Sequence, residues 1–465
     1  MMLGIDGLPP EMPCTAARNF RPAPADALIP QEIPATNPEQ YKNTMHICVL
    51  GAGVIGVTTA YRLLQDGHQV TLVDGREHPG DGTSLGNGAQ LSYSYVAPLA
   101  DPSVWSKWAY YMFSSESPLT FKPTLDPAQY RWLFEFLRHC NADRVRRTTI
   151  ELLQLAFFSR DQLKQWNAQL DLQFDYKTSG KLVMYTDQAG LDSARKQVQF
   201  QSEFGCEQEV LDAARCIAIE PALGKSGRDW AGGVYTPSEE AGDCPQFCRG
   251  LVASMQANAN FRFIGNASVA NVRTSAGALR AVQAGSEWIE ADSFVLSFGP
   301  ESPAFARRVG LSLPLYPLKG YSITVPLQDA ASRDAAPQVS ITDISRKIVY
   351  ARLGERLRVA GRVELVGLER SIPQRAIDEL KQGMHELFPG CALGEDASLS
   401  PWAGFRPATP SGVPVVGPSP VKNLYLNIGQ GALGWTLACG SATLLADQIA
   451  GRRSAIDATP FRFAG

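Results

Sequence analysis

Three glycine-rich stretches carry the residue types and spacings best suited to chemistry. The first is Gly51-Ala52-Gly53-Val54-Ile55-Gly56, directly after a short apolar run from His46 to Leu50. Gly51 permits a tight turn, Gly53 lets the backbone approach a pyrophosphate, and Gly56 lets a helix pack closely on a strand. The N-terminus of that helix presents free N–H groups and the positive end of its dipole to phosphate. Asp74 stands 18 residues after Gly56, where a carboxylate can hold a pair of ribose hydroxyls. Val54 and Ile55 belong to the turn, and Gly75 and Arg76 follow the acid. These types at this spacing predict a dinucleotide site.

Each of these residues needs an element to place it. The pattern predicts a strand over 46–50, a helix over 57–65 with Leu63 and Leu64 turned inward, a break at Gly67, and a second strand over 69–73 that ends at Asp74. The second glycine-rich stretch is Thr83-Ser84-Leu85-Gly86-Asn87-Gly88-Ala89-Gln90. It comes too soon after Asp74 to be another such unit. We expect a loop whose Thr83, Ser84, Asn87, Gly88, Ala89 and Gln90 lie against another part of the cofactor. The third stretch is Gly429-Gln430-Gly431-Ala432-Leu433-Gly434-Trp435-Thr436, between a strand over 423–428 and a helical pattern over 437–449. The dipole of that helix can stabilise negative charge on a reduced ring system. Phe294 to Gly299 reads as a buried parallel strand ending in glycine beside a cofactor. Gly299 and Val269 complete the expected cofactor set.

The three stretches together resemble FAD-binding members of the D-amino-acid oxidase family. Pro317-Leu318-Lys319-Gly320-Tyr321-Ser322, Gly404-Phe405-Arg406-Pro407-Ala408-Thr409-Pro410 and Gly434 to Ser441 resemble its bacterial D-amino-acid dehydrogenase branch, of the small-subunit type, as does Glu240-Ala241-Gly242-Asp243-Cys244. The likeness runs from about Met45 to Gly451. One departure is Gln430, where many relatives carry His.

The resemblance implies an α/β fold. A Rossmann-like FAD-binding domain would be assembled from 45–100, 238–305 and 398–452. A second, α+β substrate domain on a mixed or antiparallel sheet would take 101–237 and 306–397. Strands over 181–185, 321–325, 347–351 and 357–363 show the alternation of a sheet with one buried face. A helix over 245–256 and a strand over 261–264 would join the cofactor domain. Residues 453–465 are expected as a tail.

The implied activity is oxidative deamination of a D-amino acid to a 2-oxo acid and ammonia, with hydride passing from Cα to N5 of non-covalent FAD. This needs an anchored carboxylate, an α-hydrogen aimed at the flavin and a neutral amine. Arginine anchors a carboxylate best, because its planar fork pairs both oxygens. Arg406 matches the family's carboxylate-binding arginine. Tyr350, on a strand resembling the one that faces the flavin, is expected to bond the carboxylate or close the pocket. Tyr321 is a further candidate, and Lys319 a weaker one. No general base is named, since water can take the ammonium proton. The resemblance also implies that electrons pass to a quinone or another respiratory-chain acceptor. A cyclic imino acid such as hydroxy-D-proline, glycine or an N-methyl amino acid remains an alternative substrate. A flavin-binding subunit of a larger electron-transfer complex is an alternative role.

Composition narrows the field. The 465 residues are 45% hydrophobic and 19% charged, enough for a large buried core across two domains. The net charge of -3 offers no basic surface for nucleic acid. No apolar run is long enough for a membrane-spanning helix. Nine scattered cysteines and five histidines show no metal-ligand spacing, so no metal is expected. Cys244 and Cys248 share a helical face, and Cys439 reads as packing rather than a covalent flavin link. Reduced thiols point to the cytoplasm. The first 44 residues hold eight of the 32 prolines and read as a disordered or extended arm, not a secretory signal. Tyr95, Trp105, Trp108, Tyr110, Tyr111 and Phe113 form an aromatic segment, read as a core helix or as a peripheral contact on the inner face of the plasma membrane.

Overall fold

The computed structural model describes residues 44–105, 119–391 and 399–464. The proline-rich arm up to residue 43, and Trp108, Tyr110, Tyr111 and Phe113, lie outside the described residues.

Two large sheets organise the chain. The first has six strands in the order Val415–Pro418, Leu424–Ile428, Ser293–Leu296, His46–Leu50, Gln69–Val73 and Phe261–Ile264. All neighbours run parallel except the first two. The inner strands are buried along nearly their whole length, so they read as continuous apolar runs and not as alternation. The helix between the first two strands in sequence is Val54–Gln65, so its first turn contains Gly56. The last helix, Gly434–Ile449, is buried from Trp435 to Asp447 and packs against Val54–Gln65 and Ala142–Leu170. A helix without a solvated face must lie between other elements.

The second sheet is mixed, as expected. Its path runs Ser400–Ala408, Tyr316–Pro326, Arg356–Leu365, Ile348–Leu353, Ser340–Asp343, Lys181–Tyr185, Gly232–Thr236, Glu209–Leu211. Leu119–Phe121 pairs with Arg356–Leu365 off that path. That pairing and the pairing of Ser340–Asp343 with Lys181–Tyr185 are parallel, and the remaining ones are antiparallel. Ser400–Ala408 lies in this sheet, although the sequence grouped it with the cofactor segments. Helix Gln374–Leu387 covers the outer face with Ile377, Leu380, Met384 and Leu387.

Cys244 and Cys248 share one face of helix Cys244–Gln256, and both are buried. Cys439 is buried in the core as well. The residues expected as a tail are docked, with Phe461 fully buried in the core of the parallel sheet.

Candidate active site

A cavity of about 780 Å³ lies between the carboxyl ends of the parallel strands and the inner face of the mixed sheet. Gly51, Asp74, Ser297 and Gly429 each follow a parallel strand and reach it, which is where open α/β sheets bind ligands. Of the residues expected at the cofactor, all but Gly56 line this cavity.

Gly56 has a different task. A Cβ there would meet the carbonyl oxygen of Gly51 at 1.7 Å, so only glycine lets the helix close on the turn. Gly51 has φ +111°, in the glycine region. At Gly53 the protein itself leaves room, since a Cβ would meet only Ser84 Oγ at 3.6 Å. The close approach at Gly53 is therefore reserved for a ligand. Asp74 accepts hydrogen bonds from the backbone N–H of Ala52 (2.7 Å) and of Arg76 (2.8 Å). A carboxylate has about four acceptor sites, so two remain for hydroxyls. Ser84 Oγ accepts from Val54 N at 3.0 Å, and Thr83 Oγ1 donates to the carbonyl of Phe405 at 2.9 Å. The second glycine loop is thus tied to the first helix on one side and to the strand of Arg406 on the other. Gly429 (φ +86°) and Gly431 (φ +56°) shape the third turn. The buried Gln430 borders the cavity and donates to Asn427 at 2.7 Å, while its own buried oxygen has no partner among the described residues. The glycine cradle, the acid and two helix N-termini fit FAD.

Arg406 lies on the cavity wall in strand Ser400–Ala408. Its Nη1 donates to the carbonyl of Arg362 at 3.2 Å, and no carboxylate pairs with it among the described residues. Burial pulls its guanidinium down to about 10. A bulge positions that carbonyl: Lys319 pairs with Glu364 and Tyr321 with Gly361, so Arg362 and Val363 face the single residue Gly320. Arg362 takes φ +60°, a strained conformation for a side chain of this size. Arg362 is held by ion pairs to Glu379 and Glu364.

Both tyrosines turn their rings to the outer face. The Tyr321 ring lies in the cluster under helix Gln374–Leu387, 5.3 Å from Lys319 Nζ, and its hydroxyl donates to Glu364 at 2.5 Å. Burial and that acid raise its pKa. Tyr350 does not reach the cavity. Its side chain lies on the outer face, stacked edge-on against Phe388 at 5.2 Å, within the cluster under helix Gln374–Leu387. Its neighbour Val349 lines the cavity instead, because successive strand residues point to opposite faces. Tyr350 contributes its carbonyl, which accepts from Gln90 Nε2 at 3.0 Å. Lys319 is fully buried and donates to Glu369 (2.8 Å) and to the carbonyl of Ser371 (2.6 Å), away from the cavity.

The sequence reading missed Lys181. This lysine is 3% exposed, lines the cavity and donates to Ser92 Oγ at 2.8 Å. Glu239, equally buried, accepts from Ser94 N at 2.7 Å. The available signal was a lysine opening a strand that is otherwise Leu-Val-Met-Tyr.

Comparison with known proteins identifies the family. The family model described as FAD dependent oxidoreductase matches residues 46–448. "D-amino acid dehydrogenase 2" of Ralstonia nicotianae is 48% identical over 424 residues, covering 90% of this chain and 100% of that protein. "D-amino acid dehydrogenase 2" of Pseudomonas aeruginosa is 45% identical over 414 residues, covering 89% and 97%. Among solved structures, glycine oxidase from Geobacillus kaustophilus superposes with a TM-score of 0.70 at 19% identity, covering 90% of this chain and 98% of that one. L-proline dehydrogenase from P. horikoshii gives 0.67 at 15% identity, covering 90% and 97%. These two likenesses concern the fold. The glycine cradle and the near full-length matches together show that the chain belongs to the family of FAD-dependent oxidoreductases of the D-amino-acid oxidase type.

Proposed function

We propose that this protein oxidises D-amino acids to 2-oxo acids and ammonia. The observation that carries the reading is Arg406, a cation on the wall of the flavin cavity with no carboxylate partner among the described residues. A buried guanidinium without a counter-ion is costly, and a substrate carboxylate relieves that cost with two parallel hydrogen bonds. The relatives' name, D-amino acid dehydrogenase, supports the same substrate class.

Bound in the cavity, the flavin supplies a hydride acceptor. The protein supplies position. Arg406 fixes the carboxylate, and the Arg362 carbonyl fixes Arg406. The paired wall residues Val349 and Ala360 shield the cavity from one side. The substrate ammonium gives its proton to water, and the imine product hydrolyses after release.

The proposed acceptor is a quinone or another respiratory carrier, reached from a membrane surface. Tyr130 and Phe134, one turn apart on helix Pro127–His139, are exposed, as is Leu125 before it. Exposed Trp105 donates to the carbonyl of Cys140 at the other end of that helix. No helix among the described residues is long and apolar enough to cross a membrane. Replacing Tyr130 and Phe134 with serine is expected to move the protein from the membrane fraction to the supernatant. Unchanged sedimentation would refute this contact.

The test of substrate class is anaerobic bleaching of the bound flavin by matched D- and L-amino acids, proline analogues and glycine. Bleaching by several D-isomers and by no L-isomer is expected. Arg406→Ala should keep its flavin and lose about 2–5 kcal/mol in kcat/KM. Unaltered kinetics would sink the assignment of Arg406.

A further inference from the structure

We infer that Lys181 is a fixed positive charge that stabilises the reduced flavin, acting beside the N-terminus of helix Gly434–Ile449. The inference rests on the flavin lying in this cavity, and not on the identity of the amino acid.

Three features place that charge. First, Lys181 lines the cavity although it is almost wholly buried. Second, its ammonium is held in place: it donates to Ser92 Oγ at 2.8 Å and sits 4.2 Å from the centre of the Tyr95 ring. Third, Ser92 joins it to the third glycine turn, because the Ser92 amide donates to Thr436 Oγ1 at 3.1 Å. Thr436 lies in the first turn of helix Gly434–Ile449. A full positive charge and the positive end of a helix dipole therefore meet at one end of the cavity. The loop carrying Gln90, also on the cavity wall, closes that end.

Two other roles fit less well. An amino acid held at Arg406 is a poorer partner, since the strands of Lys181 and Arg406 are five steps apart in the sheet, while Ser92 ties Lys181 to the third glycine turn. A structural ion pair with Glu239 is incomplete as an explanation. Lys181 lines the cavity and Glu239 does not, so the lysine is the member of the pair that a ligand there meets. Glu239 keeps Lys181 protonated: burial pulls the lysine down to about 8, and the acid opposes that. Glu239 is in this sense a positioning residue.

The chemistry needs such a charge. Bound FAD would accept the hydride that leaves the substrate Cα with both bonding electrons, so the neutral amine would be left as an iminium cation and the cofactor would carry one more negative charge. A cation near the ring in a low-dielectric site stabilises that product and raises the reduction potential.

The test is reductive titration of the flavin-loaded protein, with sulfite binding as a second probe, since sulfite also places a negative charge on the oxidised ring. Neither uses an amino acid, so the outcome is independent of the D-amino-acid reading. We expect Lys181→Met to weaken sulfite binding at least tenfold and to lower the two-electron potential by about 30 mV, its equivalent. Lys181→Gln, which keeps a hydrogen bond to Ser92 without the charge, should do the same and covers the case in which the methionine variant does not fold. Lys181→Arg should stay within twofold of the wild type. Neutral variants with wild-type potential and sulfite affinity would overturn the proposal, as would an arginine variant that behaves like methionine.

Discussion

The guanidinium of Arg406 lies close over Gly320, where a Cβ would meet Nη1 and Nη2 at 2.5 Å and Cζ at 2.6 Å. Arg406 pairs across the sheet with Leu318, and its side chain bends back over the residue two positions on. Glycine at 320 is thus a requirement of the arginine's placement, and the bulge opposite it supplies the carbonyl that Arg406 bonds.

Gly320→Ala should therefore act through Arg406. The added methyl displaces the guanidinium, and a misplacement near 1 Å costs about a hundredfold in rate. We expect kcat/KM for D-amino acids to fall by that order while the flavin stays bound. A variant with wild-type kinetics would show that the arginine does not need this space.

Gly53 and Gly56 should separate binding from folding. Gly53→Ala has room within the protein, so its melting temperature without flavin should match the wild type while its flavin affinity falls. Gly56→Ala drives a methyl into the Gly51 carbonyl and should lower stability by several kcal/mol with or without flavin. Thermal melts of both variants, with and without FAD, check this. Equal behaviour of the two would refute it.

Lys319 and Glu369 predict an acid-sensitive anchor. The lysine ammonium and the Ser371 N–H and hydroxyl hold the Glu369 carboxyl down from 4.5 to about 2. A depressed carboxyl contributes stability above its unfolded value and loses it as pH falls toward the folded one. Glu369 is half exposed, so Glu369→Gln should cost about 1 kcal/mol at pH 7 and not the roughly 3 kcal/mol that an unscreened shift would imply. Urea midpoints should show this gap reduced to less than about half at pH 3. A gap constant with pH would argue against the pair.

Tyr350→Phe should leave kinetics unchanged. Its buried hydroxyl has no partner among the described residues, so removing it should be neutral or stabilising by up to about 1 kcal/mol. A large loss of kcat/KM would return Tyr350 to the site.

The cofactor motif was legible because its chemistry is local. Gly51, Gly53, Gly56 and Asp74 must stand at set distances along the chain for a strand, turn and helix to meet a pyrophosphate. Most strands were legible too, since Lys181 to Tyr185 and Phe261 to Ile264 carry their pattern in consecutive residues. Boundaries slipped where glycines sit inside an element, as at Gly56 and Gly434, each within the first turn of its helix.

Tertiary structure alone decided which residues face the cavity. The strand Ile348–Leu353 is covered on both sides, so alternation identifies two faces without saying which one meets the cofactor. Pairing with Arg356–Leu365 and Ser340–Asp343 turned Val349 inward and Tyr350 outward. The bulge at Arg362 and the meeting of Lys181 with Ser92 join residues 42 and 89 positions or more from their partners. Sequence by itself therefore determined the cofactor class, because a phosphate cradle is built from neighbours in the chain. The substrate wall was decided only by the fold, because its residues come from different strands and their side chains take direction from long-range register.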